Sequence, residues 1–282
     1  MTLSEWRRQA IAALEQQGHV DADFQARSLL QHHLGVSDAH LFTWPEQPLT
    51  TPQAAELEAS LAQRLAGQPL AWILGHWHFW GLPLKVSPAT LIPRADTEIL
   101  VAEALARCMQ PQARVLDLGT GTGAIALALK SERPDWQIDA VDQQPQAVAL
   151  AQHNAKTLQL DIQVWCSDWW QAIAAAPVYD LIVSNPPYIA TDDPHLRQGD
   201  LRYEPQTALV AGEDGLDAYR AILEGVSSRL KPGGWLIFEQ GYDQAEALCE
   251  LLTQAGFTQV EWLRDWAGNP RVTLGMWPLE PR

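Results

Sequence analysis

From residue 113 onward, short apolar runs alternate with helical stretches, and this alternation constrains the fold more than any other feature of the chain. Residues 115–118, 137–141, 162–165, 181–183 and 235–238 read as strands, with helices expected over 124–130, 145–158 and 217–230. A parallel neighbour needs a crossover connection, and a crossover helix needs a sheet face to cover its apolar stripe. The pattern therefore predicts an α/β fold, a doubly wound and mostly parallel sheet of the Rossmann-like kind. Residues 256–263 and 271–277 read as two further strands, an antiparallel pair at the sheet edge.

The first quarter of the chain has a different texture. Trp6, Ala10, Ala13 and Leu14 recur at helical spacing, as do Phe24, Ala26, Leu29 and Leu30, and later Ala55, Leu57, Leu61 and Leu65. Thr51-Pro52 reads as an N-cap followed by proline at the first helical position, and Gly67-Gln68-Pro69 ends the last long helix. An aromatic-rich stretch over 72–86, around Gly75 and Gly81, suggests a hairpin or extended linker. The expected organisation is a small all-α domain over 1–74, a hairpin or linker over 75–95, and the α/β domain over 96–282.

Charge narrows the class of partner. The formal net charge is −15, and a nucleic-acid binder needs a basic surface to neutralise phosphates, so a protein partner is expected and direct nucleic-acid binding is not. No run reaches the roughly 18 apolar residues of a membrane span, and the first ten residues lack the apolar core of a secretory signal. A cytoplasmic, monomeric protein with no membrane contact is the expectation. Cys108, Cys166 and Cys249 form no CxxC pair and read as small buried apolar groups. The eight histidines also lack metal spacing; His76 and His78 share a strand face as partly solvated side chains, and no metal is expected.

At the end of the first strand, Gly119-Thr120-Gly121-Thr122-Gly123 forms a glycine-rich turn into a helix, where a ligand can lie against bare main chain. Nineteen residues beyond Gly123, after the next strand, stands Asp142, placed to accept hydrogen bonds from two ribose hydroxyls. The glycines follow GxGxG rather than the GxGxxG spacing of dinucleotide sites. Asp117, ahead of the first glycine, suits a cation better than a pyrophosphate. S-adenosyl-L-methionine, which carries a sulfonium and an ammonium, fits these features, with S-adenosyl-L-homocysteine as its product.

The fourth strand leads into Asn185-Pro186-Pro187-Tyr188, at the sheet edge where ligands bind. An amide nitrogen is a poor nucleophile because its lone pair is delocalised, so a site that methylates it must hold both N–H groups and favour pyramidal nitrogen. Asn185 offers a side-chain oxygen to one N–H and Pro186 its carbonyl to the other, while the Tyr188 ring packs on the planar amide and stabilises positive charge. These three are the expected catalytic residues. Prolines 186 and 187 add stiffness and no competing donors.

With Ile73-Leu74-Gly75, Leu91-Ile92-Pro93-Arg94, residues 199–205 and Asn269-Pro270-Arg271, these motifs resemble the protein-(glutamine) methyltransferases of the HemK/PrmC family, over nearly the whole chain. The resemblance implies methylation of the glutamine in the Gly-Gly-Gln motif of peptide chain release factors. It implies that Gly119, Thr120, Gly121, Thr122, Gly123 and Asp142 hold the cofactor and that Trp169 lines the adenine pocket. Asn185 then faces cofactor and substrate, and Pro186, Pro187 and Tyr188 complete the glutamine site. One departure is Ala95, where the family usually carries a second proline. The competing readings are a glutamine methyltransferase of a ribosomal protein and a methyltransferase of exocyclic amines in nucleic acid.

Overall fold

The computed structural model describes residues 1–176 and 178–279; the end of the expected 96–282 domain lies outside the described residues. Two compact units are present, Met1–His76 and Trp77–Arg282.

The first unit is helical: α1 (Leu3–Gln16), α2 (Ala22–Leu34), α3 (Asp38–Thr43), α4 (Thr51–Leu65) and α5 (Leu70–Leu74). Helix α1 buries Leu3, Trp6, Ala10 and Leu14, the stripe that its 3.6-residue period dictates. Phe24, expected on the inner face of α2, is instead exposed, because Ala22, Gln25, Ala26, Leu29 and Leu30 occupy that face. The start of α4 also differs by one residue. Thr50, not Thr51, is the N-cap, because its side chain accepts from the Gln53 amide while Gln53 Oε1 accepts from the Thr50 amide at 3.0 Å, a capping box. Arg64 is buried in this unit and satisfied by Gln25 Oε1 at 2.8 Å and the Gln68 carbonyl at 2.9 Å.

The strands begin with a hairpin, β1 (His76–Phe79) and β2 (Leu82–Lys85). The aromatic stretch is thus a hairpin from His76 on, while residues 72–74 belong to α5. The seven-stranded sheet of the second unit comprises β3 (Arg114–Leu118), β4 (Gln137–Asp142), β5 (Gln163–Cys166), β6 (Tyr179–Ser184), β7 (Leu230–Glu239), β8 (Thr258–Arg264) and β9 (Pro270–Met276). Their order is β5-β4-β3-β6-β7-β9-β8, parallel from β5 to β7 and antiparallel across β7–β9 and β9–β8. The terminal pair is antiparallel as expected, but only β8 is at the edge.

Alternation along the strands divides the core between two faces. Leu181 and Val183 of β6, with Ile237 of β7, pack beneath α6 (Glu98–Arg107), α7 (Ala124–Glu132) and α8 (Pro145–Leu158). Ile182, Leu236 and Phe238 face the other way, towards α9 (Asp217–Val226) and α10 (Ala245–Gln254). Helix α9 stops four residues short of the expected 230, because Leu230 already begins β7 and pairs with Tyr179. The cysteine reading also needs correction: Cys108 is buried, but Cys249 is half-buried and Cys166 is exposed at the end of edge strand β5. Among the described residues no cluster of side chains is built to hold a metal, and no helix is long and apolar enough to cross a membrane.

Candidate active site

Strand register brings the motifs to one edge. Leu118 pairs with Val141 on one side and Ser184 on the other, so Gly119, Asp142 and Asn185 all emerge at the carboxyl ends of adjacent parallel strands. Asp142 pairs with Cys166, which brings the turn holding Trp169 to the same edge. The order reverses at β3, and in open α/β sheets that switch point is where ligands bind.

A cleft of about 910 Å³, counted out to its open mouth, lies there. Its walls include Gly119, Thr120, Gly121, Thr122, Asp142, Trp169, Asn185 and Pro187, together with Thr90, Thr97 and Thr207 that the motifs did not single out. Gly123 is not on the wall. A β-carbon there would meet Leu127 Cδ1 at 3.1 Å and Ala151 Cβ at 3.2 Å, so this glycine serves close packing of α7 on α8. Gly119 and Gly121 have φ of 74° and 56°, a left-handed backbone that bares the main chain to the cleft. Pro186 is buried behind the wall, and Tyr188 is half-buried further along, packed on the α9–α10 side.

Asp142 is already engaged by the backbone. Its Oδ2 accepts from the Gly121 amide and its Oδ1 from the Gln144 amide, both at 2.9 Å. Burial raises its pKa, and these two amides oppose the rise. Each oxygen keeps a lone pair for a ligand hydroxyl. Asp117 is fully buried beneath the turn. Its Oδ2 accepts from the Thr120 hydroxyl at 2.6 Å, Oδ1 has no partner, and burial pushes the carboxyl up to about 7.

The two adjacent tryptophans part company. The Trp169 ring lies over Gly119, 3.8 Å from where a β-carbon there would stand, and lines the cleft. Trp169 has φ of 43°, and its carbonyl accepts from the Ser167 hydroxyl at 2.8 Å. Trp170 points away, with Nε1 donating to the Ala221 and Ile222 carbonyls of α9 at 3.1 and 3.0 Å.

The opposite rim is clasped by a buried acid. Glu204 accepts from the Ile92 amide at 3.2 Å and forms an ion pair with Arg94, tying the Leu91-Ile92-Pro93-Arg94 segment to the loop that carries Thr207 and Ala208. No described residue lining the cleft is a lysine or arginine, which disfavours a pyrophosphate. The carboxylates of Asp142 and Asp168, a bare glycine turn, an unpartnered Thr90 hydroxyl and one aromatic ring fit a nucleoside bearing positive charge.

Relatives match most or nearly all of the chain. Residues 5–75 match the PrmC N-terminal domain and residues 96–198 the methyltransferase small domain. A release factor glutamine methyltransferase of Escherichia coli (strain K12) is 48% identical over 98% of this chain and 99% of its own length. One from Pseudomonas aeruginosa is 50% identical over 88% and 90%. The chain belongs to the release factor glutamine methyltransferase family. It is a methyltransferase whose cofactor is S-adenosylmethionine. Solved structures agree at the level of the fold: a methyltransferase from Pyrococcus furiosus superposes with a TM-score of 0.55 at 14% identity, covering 81% of this chain and all of that one. The hMettl16 catalytic domain gives 0.58 at 16% identity, covering 83% of each.

Thr90, Thr97 and Thr207 escaped sequence reading although they flank the motifs 91–94 and 199–205, because nothing in those motifs says which neighbouring side chains turn into a cleft. Glu239 did leave a signal, an acid closing the apolar run 235–238 at the carboxyl end of a strand.

Proposed function

We propose that this chain methylates the side-chain amide nitrogen of the glutamine in the Gly-Gly-Gln motif of peptide chain release factors, in support of translation termination in the cytoplasm. The observation that carries the reading is Asn185-Pro186-Pro187-Tyr188 at the end of β6, beside the cleft formed by Gly119, Gly121 and Asp142. The names of the full-length relatives favour the same substrate.

In this reading Gly119, Thr120, Gly121, Thr122, Gly123 and Asp142 hold the cofactor, and the Trp169 ring packs on its adenine. Gly123 acts from behind, by seating α7. When bound, S-adenosylmethionine supplies the methyl group as an electrophile. Asn185 Oδ1 accepts one N–H of the glutamine amide and the Pro186 carbonyl accepts the other. Together they favour the pyramidal nitrogen that must form as the lone pair is withdrawn from the carbonyl. Pro187 stiffens the turn, and the Tyr188 ring supports the flat amide. No ionised base is required in the tetrapeptide, since the methylated nitrogen is acidic enough to lose its proton to water.

The helical segment 1–74, joined through 75–95 to the catalytic domain 96–282, serves to recognise the release factor, because a glutamine on a loop offers few atoms for discrimination. The chain works as a monomer and makes no direct contact with nucleic acid. Single-turnover methyl transfer to intact release factor tests the assignment: Asn185→Ala should lose at least about 10²-fold in rate with cofactor affinity largely kept. A near-parental rate would refute the role given to Asn185.

A further inference from the structure

Ser184 pairs with Phe238, so Asn185 and Glu239 are the next residues out at the carboxyl ends of two adjacent parallel strands. Glu239 is 2% exposed. Its Oε1 accepts from the Tyr188 hydroxyl at 3.4 Å, and Oε2 has no hydrogen-bond partner. Thr97 accepts from Asn185 Nδ2 at 3.3 Å. It ends the 3-10 turn Ala95–Thr97 that runs into α6, its backbone is helical, and its hydroxyl makes no capping bond.

We propose that Glu239 and Thr97 are positioning residues for methyl transfer, which fix the orientation of the Asn185 amide and the Tyr188 ring. The inference rests on the roles given above to Asn185 and Tyr188.

The Thr97 oxygen accepts from Asn185 Nδ2, and this turns Asn185 Oδ1 towards the cleft. In the flipped orientation Nδ2 would oppose the N–H groups of the substrate amide, donor against donor. Folding gains little from a buried carboxylate with an unpartnered oxygen at the end of the apolar run 235–238. Arg271 lies near enough to favour its charge, but the guanidinium is held by Asp265 Oδ2 at 3.1 Å, and Asp96 acts against that charge. Contacts of 3.3 and 3.4 Å are long, as expected of a site that tightens when substrate arrives.

The test compares Thr97→Val, Thr97→Ser, Glu239→Gln and Asn185→Ala in the full chain, with cofactor affinity by calorimetry and kcat and KM on intact release factor. Thr97→Val keeps the shape and removes the hydroxyl; kcat should fall about tenfold or more, with KM and cofactor affinity within about threefold of the parent. Thr97→Ser should recover most of that loss. Glu239→Gln replaces the carboxylate that accepts from the Tyr188 hydroxyl with an amide that can also donate, so it should fall in kcat as well. Should that variant fail to fold, Thr97→Val decides alone. Asn185→Ala inactive with Thr97→Val at parental kcat, or with a loss confined to KM, overturns the positioning role and leaves the amide site standing. An active Asn185→Ala overturns both.

Discussion

The Gly121 amide donates to Asp142 Oδ2 at 2.9 Å, so the tip of the glycine turn and the acid ending the neighbouring strand are built as one unit. Asp142→Ala therefore removes two things, the ligand-facing lone pairs and the acceptor that shapes the turn. Two charge-assisted hydrogen bonds of about 1.5–3 kcal/mol each correspond to a loss of at least about 10²-fold in cofactor affinity. Calorimetry with S-adenosylmethionine reads it directly, and an unchanged affinity would contradict the assignment.

Trp169 and Trp170 should separate binding from stability. Trp169→Ala removes the ring over Gly119 and should weaken cofactor binding, while Trp169→Phe keeps most of it. Trp170→Ala leaves a hole against α9 and should cost about 3 kcal/mol of stability, with cofactor affinity unchanged in the folded fraction. The reverse outcome, binding lost with Trp170 and retained without Trp169, would reassign the adenine contact.

Glu239 should also mark the pH dependence of stability. Burial pushes its carboxyl up from 4.5 to about 7, against the pull of Thr97 and Arg271. Between those values the folded chain holds a proton that the unfolded chain has released, so this group's contribution falls as pH rises through the window. Glu239→Gln does not titrate. The Tm of the cofactor-free parent relative to this variant should drop by ~2 °C or more between about pH 5 and pH 8. The difference cancels groups such as His32, whose lowered pKa acts in the opposite sense. A flat difference would show that Glu239 ionises normally.

Recognition and chemistry should be separable. A chain beginning at Trp77, shown by its melting transition to be folded, should bind cofactor like the full chain yet lose at least about tenfold in kcat/KM on intact release factor. A short Gly-Gly-Gln peptide should be a poor substrate for both. Equal efficiency on release factor would reduce residues 1–74 to a shield.

Much of this architecture is legible in one sequence because local pattern encodes it. The runs 115–118 and 181–183 are strands for the reason they were read as strands, and Gly119, Gly121 and Asp142 stand where spacing after a strand puts them. What failed depends on partners distant in the chain. Thr97 and Asn185 are 88 residues apart, and only the folded sheet brings them together. The helical period continues past Val226 to Leu230, but pairing with Tyr179 claims Leu230 for β7. Trp169 and Trp170 are alike in sequence and opposite in role because one chain turn sends their rings to different sides. Cys166 reads as buried until β5 is known to be an edge strand.

The most direct test offers the enzyme intact release factor, ribosomal proteins and RNA together with labelled S-adenosylmethionine, and locates the label by peptide mass spectrometry. The account predicts one added methyl on the glutamine of the Gly-Gly-Gln peptide and its absence with Asn185→Ala. A label on a ribosomal protein or on nucleic acid, with the release factor unmodified, would contradict it.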